Sequence, residues 1–296
     1  MILITGGTGF IGQELTRQLV SLKYPVRLLL NPAVNYPQLP KGFPVNVAIS
    51  GINDERNLRA AMKDVQIVFH LVGTEFSGIN ADYEEVDIQS AKVFSEVAAQ
   101  MNISHFFYLS YPGADKKSAY SVLRAKGLAE SAIQASGVPY TFFRCSPVYG
   151  KGDHFTETLA AYIKAIPFTT SIPAGDQIKI QPIWIEDLIT CMQLCMDDPG
   201  TIGKTINIGG IEILSFRDCI QMIMNTIGIQ KRISTISPAL WRYQIIAFEQ
   251  WFKNFPPMYF WTEFLAEDRL SPIDVLPRDF GLMPTRMSQN LSYLTE

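Results

Sequence analysis

Glycines at positions 6, 9 and 12 follow a short apolar run at residues 2–4 and precede a helical pattern, and this arrangement constrains the fold most strongly. Gly6 permits a tight turn, Gly9 lets the backbone approach a pyrophosphate, and Gly12 lets strand and helix pack closely. The positive N-terminal end of the helix then faces the phosphates. The Gly-Lys-Ser/Thr sequence of an ATPase phosphate loop does not follow. The stretch therefore predicts a dinucleotide site built from Gly6, Thr8, Gly9, Phe10, Ile11 and Gly12.

Strand-like runs alternate with helical patterns through the first half of the chain. The runs occupy residues 26–30, 45–49, 65–72, 105–110 and 140–145. Such alternation indicates βαβ crossovers and a parallel sheet. We predict an α/β protein: a Rossmann-type doubly wound parallel sheet with a smaller C-terminal α/β region for a substrate or partner. The expected dinucleotide-binding domain covers residues 1–150 and is completed by 178–228, and the smaller region comprises residues 151–177 and 229–296.

Composition narrows the functional classes. The chain has 296 residues, a formal charge of −3 and no long basic run, which argues against nucleic acid as a partner. The first strand begins at Ile2, which leaves no room for a signal peptide, and no apolar stretch is long enough for a transmembrane segment. The four cysteines form no Cys-x-x-Cys pair. These features predict a cytoplasmic protein without a metal site.

Several motifs resemble those of a known superfamily. They are residues 5–12 (Thr-Gly-Gly-Thr-Gly-Phe-Ile-Gly), 69–73 (Phe-His-Leu-Val-Gly), 107–110 (Phe-Tyr-Leu-Ser), 144–150 (Arg-Cys-Ser-Pro-Val-Tyr-Gly) and 181–187 (Gln-Pro-Ile-Trp-Ile-Glu-Asp). Nearly end to end, the chain resembles the extended or atypical short-chain dehydrogenase/reductases, which are similar to NAD-dependent epimerases and dehydratases. Within that superfamily it looks most like the branch of the nucleotide-binding accessory subunit of respiratory complex I and its bacterial relatives.

The resemblance implies a catalytic set that this chain lacks in part. Members that transfer hydride use a Tyr and a Lys one helical turn apart, because a nearby ammonium lowers the pKa of the phenol. Lys126 matches the family lysine, but Val122 stands four residues before it. Tyr120 and Arg124 offer a shifted pair at the same spacing. Arginine forks differently from lysine, which weakens that alternative.

The family serine after the fifth strand is also altered. Family members have Ser-Ser at this point, and this chain has Ser110-Tyr111-Pro112. Tyr111 is a candidate substitute acid, and packing is the alternative interpretation. The candidate catalytic residues are therefore Lys126, Tyr120 and Tyr111.

The cofactor residues implied by the resemblance also depart from the pattern. Besides the glycine turn they include Asn31, Val72, Gly73 and Lys126, whose ammonium would bond the nicotinamide ribose. NAD-binding members end the second strand with an acid, and NADP-binding members use a nearby Arg. Here Leu30-Asn31-Pro32 offers no acid, and Arg27 is the only base nearby, so NADP is slightly favoured over NAD.

Substrate and partner contacts are less constrained. The candidate substrate residues are Thr74, Tyr149 and His154. His154 stands where family members contact substrate, and a polar surface residue is the alternative interpretation. The aromatic-rich segment 241–264 suits three roles: a wall of the substrate cleft, a protein interface or a peripheral membrane contact. A membrane-surface helix carries a Lys/Arg-rich face, whereas this segment offers only Arg242 and Lys253. A cleft wall or a contact with an unidentified small molecule or protein partner is therefore favoured.

The sequence is compatible with two functions. In the first, the chain is an NAD(P)-dependent oxidoreductase or epimerase-like enzyme with a rearranged catalytic set. Alternatively, it is a catalytically degenerate dinucleotide-binding protein with an assembly, structural or redox-sensing role.

Overall fold

The computed structural model describes residues 1–32, 44–173 and 178–295. Residues 33–43 of the expected dinucleotide-binding domain, and residues 174–177 and 296 of the expected smaller region, therefore lie outside the described residues. The strands are, in chain order, β1 (Ile2–Thr5), β2 (Val26–Leu30), β3 (Asn46–Ile49), β4 (Ile67–His70), β5 (His105–Ser110), β6 (Tyr140–Cys145), β7 (Val148–Tyr149), β8 (Thr169–Pro173), β9 (Lys179–Ile180), β10 (Ile183–Trp184), β11 (Lys204–Ile208), β12 (Leu214–Ser215) and β13 (Arg232–Ile236).

The α-helices lie between and after these strands. They are α1 (Phe10–Ser21), α2 (Glu55–Ala61), α3 (Ser90–Gln100), α4 (Ser121–Ser136), α5 (Thr156–Ala165), α6 (Ile185–Met196), α7 (Phe216–Thr226), α8 (Pro238–Trp251), α9 (Tyr259–Phe264) and α10 (Val275–Phe280). A π-helix, Tyr83–Gln89, runs directly into α3.

Seven strands form one sheet in the order β11-β6-β5-β4-β1-β2-β3. The recorded pairings from β3 through β2, β1, β4 and β5 to β6 are all parallel. The strand order reverses between β1 and β4, which makes the carboxyl ends of these strands the expected ligand site. The predicted Rossmann-type doubly wound sheet is therefore confirmed.

The chain divides into two compact units. Unit 1 comprises residues 1–74, 82–144 and 189–206, and unit 2 comprises residues 75–81, 145–188 and 207–296. In unit 1, strands β1, β2, β4, β5 and β6 contribute apolar residues to a core that α2, α3 and α4 cover. The domain bounds expected from the sequence remain a prediction.

Unit 2 contains short sheets and several capped helices. Strand β13 pairs with β8 in parallel, and β12 pairs with β9 antiparallel. Ser215 caps α7 in a capping box with Asp218. The apolar side chains Trp241, Trp261 and Phe264 are buried.

Candidate functional site

A cavity of about 340 Å³ lies at the carboxyl ends of β1, β2 and β4 in unit 1. Its lining includes six residues of the predicted cofactor site, namely Gly6, Thr8, Gly9, Asn31, Val72 and Gly73. The remaining lining is Thr5, Leu29, Leu30, Ser50, Ile52, Leu71, Val86 and Phe94. The structure thus gathers residues distant in sequence around the glycine turn.

The glycine turn has the geometry of an anion-binding helix terminus. Gly9 is the N-cap of α1 and contributes no side-chain cap, so the first N–H groups of the helix, at Phe10 and Ile11, remain available. Gly6 has a φ of +72°, and a Cβ there would lie 2.8 Å from the backbone of Leu71. A Cβ on Gly12 would lie 2.2 Å from the carbonyl oxygen of Gly6. Only glycine fits these last two positions.

The end of the cavity near β2 and β3 is neutral among the described lining residues. Asn31 and Ser50 supply its polar groups. The guanidinium of Arg27 donates from Nη1 to the carbonyl oxygens of Ala61 and Lys63, at 2.6 and 2.8 Å. Arg27, the base that favoured NADP in the sequence, is therefore hydrogen-bonded to the C-terminal end of α2.

A buried ion pair adjoins the cavity. The ammonium of Lys126, which is 2% exposed, lies 3.2 Å from Oδ1 of the fully buried Asp87. Oδ2 of Asp87 accepts from the backbone N–H and the hydroxyl of Thr74, at 3.2 and 2.7 Å. Gly73 and Val86 line the cavity, and they directly precede Thr74 and Asp87 in the sequence. Asp87 therefore links both of these cavity-lining segments to Lys126. Asp87 is held by the π-helix, a feature frequent at functional sites.

Asp87 was not among the residues predicted from the sequence, although a signal for it was present. An acid at position 87 stands in register with the apolar positions 91, 94 and 98 of the same helical run, and all four residues are buried. A buried carboxylate on an apolar helix face needs a partner. The position of Asp87 on this apolar face could therefore have indicated a buried cationic partner such as Lys126.

The two candidate phenols occupy different environments. Tyr111 is buried, and its ring centroid lies 5.7 Å from Nζ of Lys126. Tyr120 precedes α4 as its N-cap residue, and the guanidinium of Arg124 donates to the carbonyl oxygen of Ser118. Of the two phenols, Tyr111 is therefore the one whose ring lies beside the ammonium of Lys126.

His70, at the end of β4, forms a buried link between β1 and α3. Its Nδ1 lies 2.8 Å from the hydroxyl of Thr5, and its Nε2 lies 3.3 Å from the hydroxyl of Ser90. Burial, with a smaller contribution from the charge of Lys126, lowers the pKa of His70 to about 3. The imidazole is therefore neutral at physiological pH.

Acidification should destabilise the protein through His70. Its pKa is about 3 in the folded state and about 6.5 in the unfolded state, so the unfolded state binds more protons between these values. Stability is fully present above pH 6.5, and the contribution of this group should fall by about 2 kcal/mol between pH 7 and pH 5. Urea unfolding of the protein and of His70→Gln at both pH values tests this. Equal losses in the two proteins would contradict it.

The predicted substrate residues of unit 2 lie in separate contacts. His154 stacks on Phe76, with ring centroids 4.8 Å apart, and Phe76 also packs on Phe260 at 4.9 Å. Tyr149 is buried and donates to the carbonyl oxygen of Thr285 at 3.3 Å. Burial raises the pKa of Tyr149, so it remains a phenol. Phe260, from the aromatic-rich segment 241–264, thus packs on the ring against which His154 stacks.

Comparison with known proteins places the sequence in a family. The NmrA-like family matches residues 1–275. The chain belongs to the NmrA-like family. This family is part of the superfamily that the motifs indicated, so the resemblance drawn from the sequence is confirmed.

Its curated relatives include two kinds of protein. The alpha subcomplex subunit 9 of mitochondrial NADH dehydrogenase from Arabidopsis thaliana is 25% identical over 76% of this chain and 57% of its own length. The phenylcoumaran benzylic ether reductase PT1 from Pinus taeda is 27% identical over 69% of this chain and 67% of its own length. This NmrA-like chain spans about three-fifths of the mitochondrial relative.

Solved structures share the fold over the whole chain. A Thermus thermophilus UDP-glucose 4-epimerase in complex with NAD is 17% identical, with a TM-score of 0.73 over 99% of this chain and 97% of its own. A nucleoside-diphosphate-sugar epimerase from Staphylococcus aureus is 16% identical, with a TM-score of 0.76 over 100% of this chain and 99% of its own. The chain therefore has the Rossmann-type fold of these epimerases.

Two further observations concern the described part of the chain only. It contains no group of three or more His, Cys, Asp or Glu side chains suited to a metal ion. None of its helices is long and apolar enough to cross a bilayer.

Proposed function

We propose that this NmrA-like protein binds NAD(P)(H) in the cavity of unit 1. The observation that carries the proposal is the cavity itself, which combines the glycine turn, the uncapped helix start and the residues after β4 at the switch point of the sheet. A Cβ at Gly9 would meet only the Gly6 carbonyl oxygen, at 3.3 Å, so the space in front of this glycine is open. We infer that a pyrophosphate occupies this space, because the missing side chain lets it approach the backbone. NAD in the Thermus epimerase is consistent with the assignment.

Each part of the cavity has a role in this proposal. Gly9, Phe10 and Ile11 bind the pyrophosphate, and Asn31 faces the adenosine ribose. Val72 and Gly73 border the nicotinamide, and Lys126 bonds its ribose while Asp87 holds the ammonium in place. A bound dinucleotide would supply hydride exchange at its nicotinamide ring. The protein supplies position and charge.

Asn31 should give the site little preference between the two coenzymes. The described lining residues include neither a carboxylate that repels a 2′-phosphate nor a cation that attracts one. We therefore propose that NADPH and NADH bind with dissociation constants within about tenfold of each other, a difference below roughly 1.4 kcal/mol.

The Asp87–Lys126 pair favours a binding role over the usual dehydrogenase chemistry. In active members the charge of the lysine lowers the pKa of a phenol, but here a carboxylate 3.2 Å away offsets that charge. Val122, at the position of the family tyrosine, is fully buried. We propose a dinucleotide-holding protein with a structural, assembly or redox-sensing role.

A second candidate rests on Tyr111. Its ring lies beside Lys126, and a protonated phenol can donate a proton when hydride reduces a carbonyl or ether carbon. The pine relative is named as a reductase. In this alternative, Lys126 and Tyr111 form the catalytic set, and Tyr120, Thr74, Tyr149 and His154 remain candidate contacts.

Parallel fluorescence titrations with NADPH and NADH test the proposal. Both should bind with micromolar affinity or better, and Lys126→Met combined with Asp87→Asn, which leaves neither buried charge unpaired, should weaken both about tenfold, as expected for one lost charged hydrogen bond. Lys117→Met, which alters an exposed lysine elsewhere in unit 1, is the control. Absence of binding by either coenzyme would refute the proposed function. Turnover lost in Tyr111→Phe with binding retained would establish the second candidate.

A further inference from the structure

Unit 2 exposes a cluster of aromatic side chains that its core does not use. Phe168, Trp251 and Phe252 are 88%, 76% and 58% exposed. Since an aromatic side chain presents about 150–250 Å², these three together expose on the order of 400 Å². That is a large apolar patch for a protein surface, and such patches mark interaction sites.

Phe252 lines an apolar groove of about 410 Å³, and Phe168 and Trp251 directly follow and precede residues of its lining, Pro167 and Phe252. Ala165, Ile166 and Pro167 form one wall at the end of α5, and Phe248, Phe252 and Phe255 form the other. Phe248 packs on Phe252 and Phe255 with ring centroids 5.9 and 5.3 Å apart. The groove is therefore a built feature of the α5–β8 turn and the end of α8.

Phe168 combines an exposed ring with an uncommon backbone conformation. Its φ is +65°, in the left-handed region, which is uncommon for a bulky residue. Such a conformation costs of the order of 1 kcal/mol or more, and a glycine would relieve that cost. Because Phe168 is almost fully exposed, packing inside unit 2 does not repay it.

Basic residues from three separate segments adjoin the groove-lining residues in sequence or in strand register. Lys164 precedes a lining residue of α5, and Lys253 lies between the lining residues Phe252 and Asn254. Arg232 pairs in register with Thr169, next to Phe168, and Lys231 donates to the carbonyl oxygens of Ile163 and Ile166. Three of these cations, Lys164, Arg232 and Lys253, are exposed.

Free carboxylates are scarce in the same segments. Residues 163–173, 229–237 and 248–257 contain one acid, Glu249. Its carboxylate accepts from the backbone N–H groups of Ile79, Met258 and Tyr259, at 2.8, 2.6 and 2.6 Å. A chain with a net charge of −3 thus concentrates positive charge around its exposed aromatic rings.

We propose that this surface docks the protein on an anionic lipid bilayer. Trp251, Phe252 and Phe168 enter the boundary between headgroups and acyl chains, and the basic side chains contact lipid phosphates. Exposed aromatic residues ringed by cations match both layers of such an interface. A second copy fits less well, because a symmetric contact through the groove would bring the same cations face to face. The docking is peripheral and does not depend on the proposed function.

Cosedimentation with vesicles tests the docking. The protein should bind vesicles of equal parts phosphatidylglycerol and phosphatidylcholine at least tenfold more tightly than phosphatidylcholine alone, and added salt should weaken the binding. Trp251 is the most exposed of the four tryptophans, since Trp241 and Trp261 are buried and Trp184 is half-buried. Its fluorescence should shift to the blue on binding, and Trp251→Phe should bind without that shift.

Matched variants separate the aromatic and basic contributions. Phe168→Ser with Trp251→Ser, and Lys164→Glu with Lys253→Glu, should each reduce binding at least tenfold. Ile273→Ser with Met283→Ser, and Lys116→Glu with Lys117→Glu, change exposed residues elsewhere and should bind normally. NADPH titration of every variant verifies the fold, or a thermal melt does so if the parent does not bind NADPH.

Three outcomes would overturn the docking. They are no vesicle binding by the parent protein, equal binding to neutral and anionic vesicles, and unchanged binding in either surface variant. Dissociation of an oligomer by the aromatic variant, without vesicle binding by the parent, would identify the surface as a protein interface instead.

Discussion

Replacing Gly9 by alanine is expected to weaken NAD(P)H binding by tenfold or more while changing the free energy of unfolding by less than about 1 kcal/mol. The φ of Gly9 is −79°, which any L-residue adopts. Its Cβ would contact the Gly6 carbonyl oxygen at 3.3 Å, a distance that a small shift relieves. The added methyl group instead occupies the space that a pyrophosphate needs. Coenzyme titration and urea unfolding measure the two effects.

Gly12→Ala should behave differently. Its Cβ would lie 2.2 Å from the Gly6 carbonyl oxygen and 2.7 Å from the Gly7 Cα, and these are backbone atoms that cannot rotate away. Overpacking of this kind should lower the free energy of unfolding by about 2–3 kcal/mol. Gly203→Ala is a control, because its φ of +77° makes it a strained substitution with no atom within 4 Å. If Gly9→Ala kept full affinity, the pyrophosphate would not lie on this turn.

Removal of the Asp87 carboxylate is expected to destabilise the protein strongly. Asp87→Asn leaves the ammonium of Lys126 buried without its counter-charge, at a cost of about 3–5 kcal/mol. Asp87→Asn combined with Lys126→Met removes both charges and should recover most of that loss, since a buried pair often contributes little against neutral replacements. Urea unfolding of the two single variants and the double variant gives the coupling energy.

An exposed ion pair provides the comparison for Asp87. Arg59 and Glu55 lie one helical turn apart at 2.9 Å, with side chains 41% and 58% exposed. Solvent screens this pair, so Glu55→Gln should cost no more than about 0.5 kcal/mol. A cost of similar size for Asp87→Asn would mean that Lys126 does not carry a buried charge beside it.

The relationship to the mitochondrial subunits and the plant reductases fits both proposed roles. One relative carries the name of a subunit of a respiratory complex, and another carries the name of a reductase. The feature that distinguishes the two possibilities in this chain is the chemistry around Lys126. Affinity without turnover would assign it to the binding role.

Local patterns in the sequence were enough to predict the fold. The apolar run at residues 2–4, the glycines at 6, 9 and 12 and the helical pattern after them predicted a strand, a turn and a helix, and in the structure only glycine tolerates the conformation at Gly6 and the contact at Gly12. Periodicity placed β2, β5 and β6 at the bounds that the structure has, since strands buried on both faces leave long apolar runs. These signals are local, so they can be read along the chain.

The partners of the charged side chains became known only from the tertiary structure. Lys126 was predicted from its motif, but its partner Asp87 comes from the π-helix, 39 positions earlier in the chain. Arg27 is close in sequence to the cavity-lining residue Asn31, yet its guanidinium donates to carbonyl oxygens at the end of α2. The segment 241–264 offered two cations, whereas Lys164 and Arg232 join its exposed face through folding. Contacts between distant segments depend on packing, and packing is a property of the whole chain.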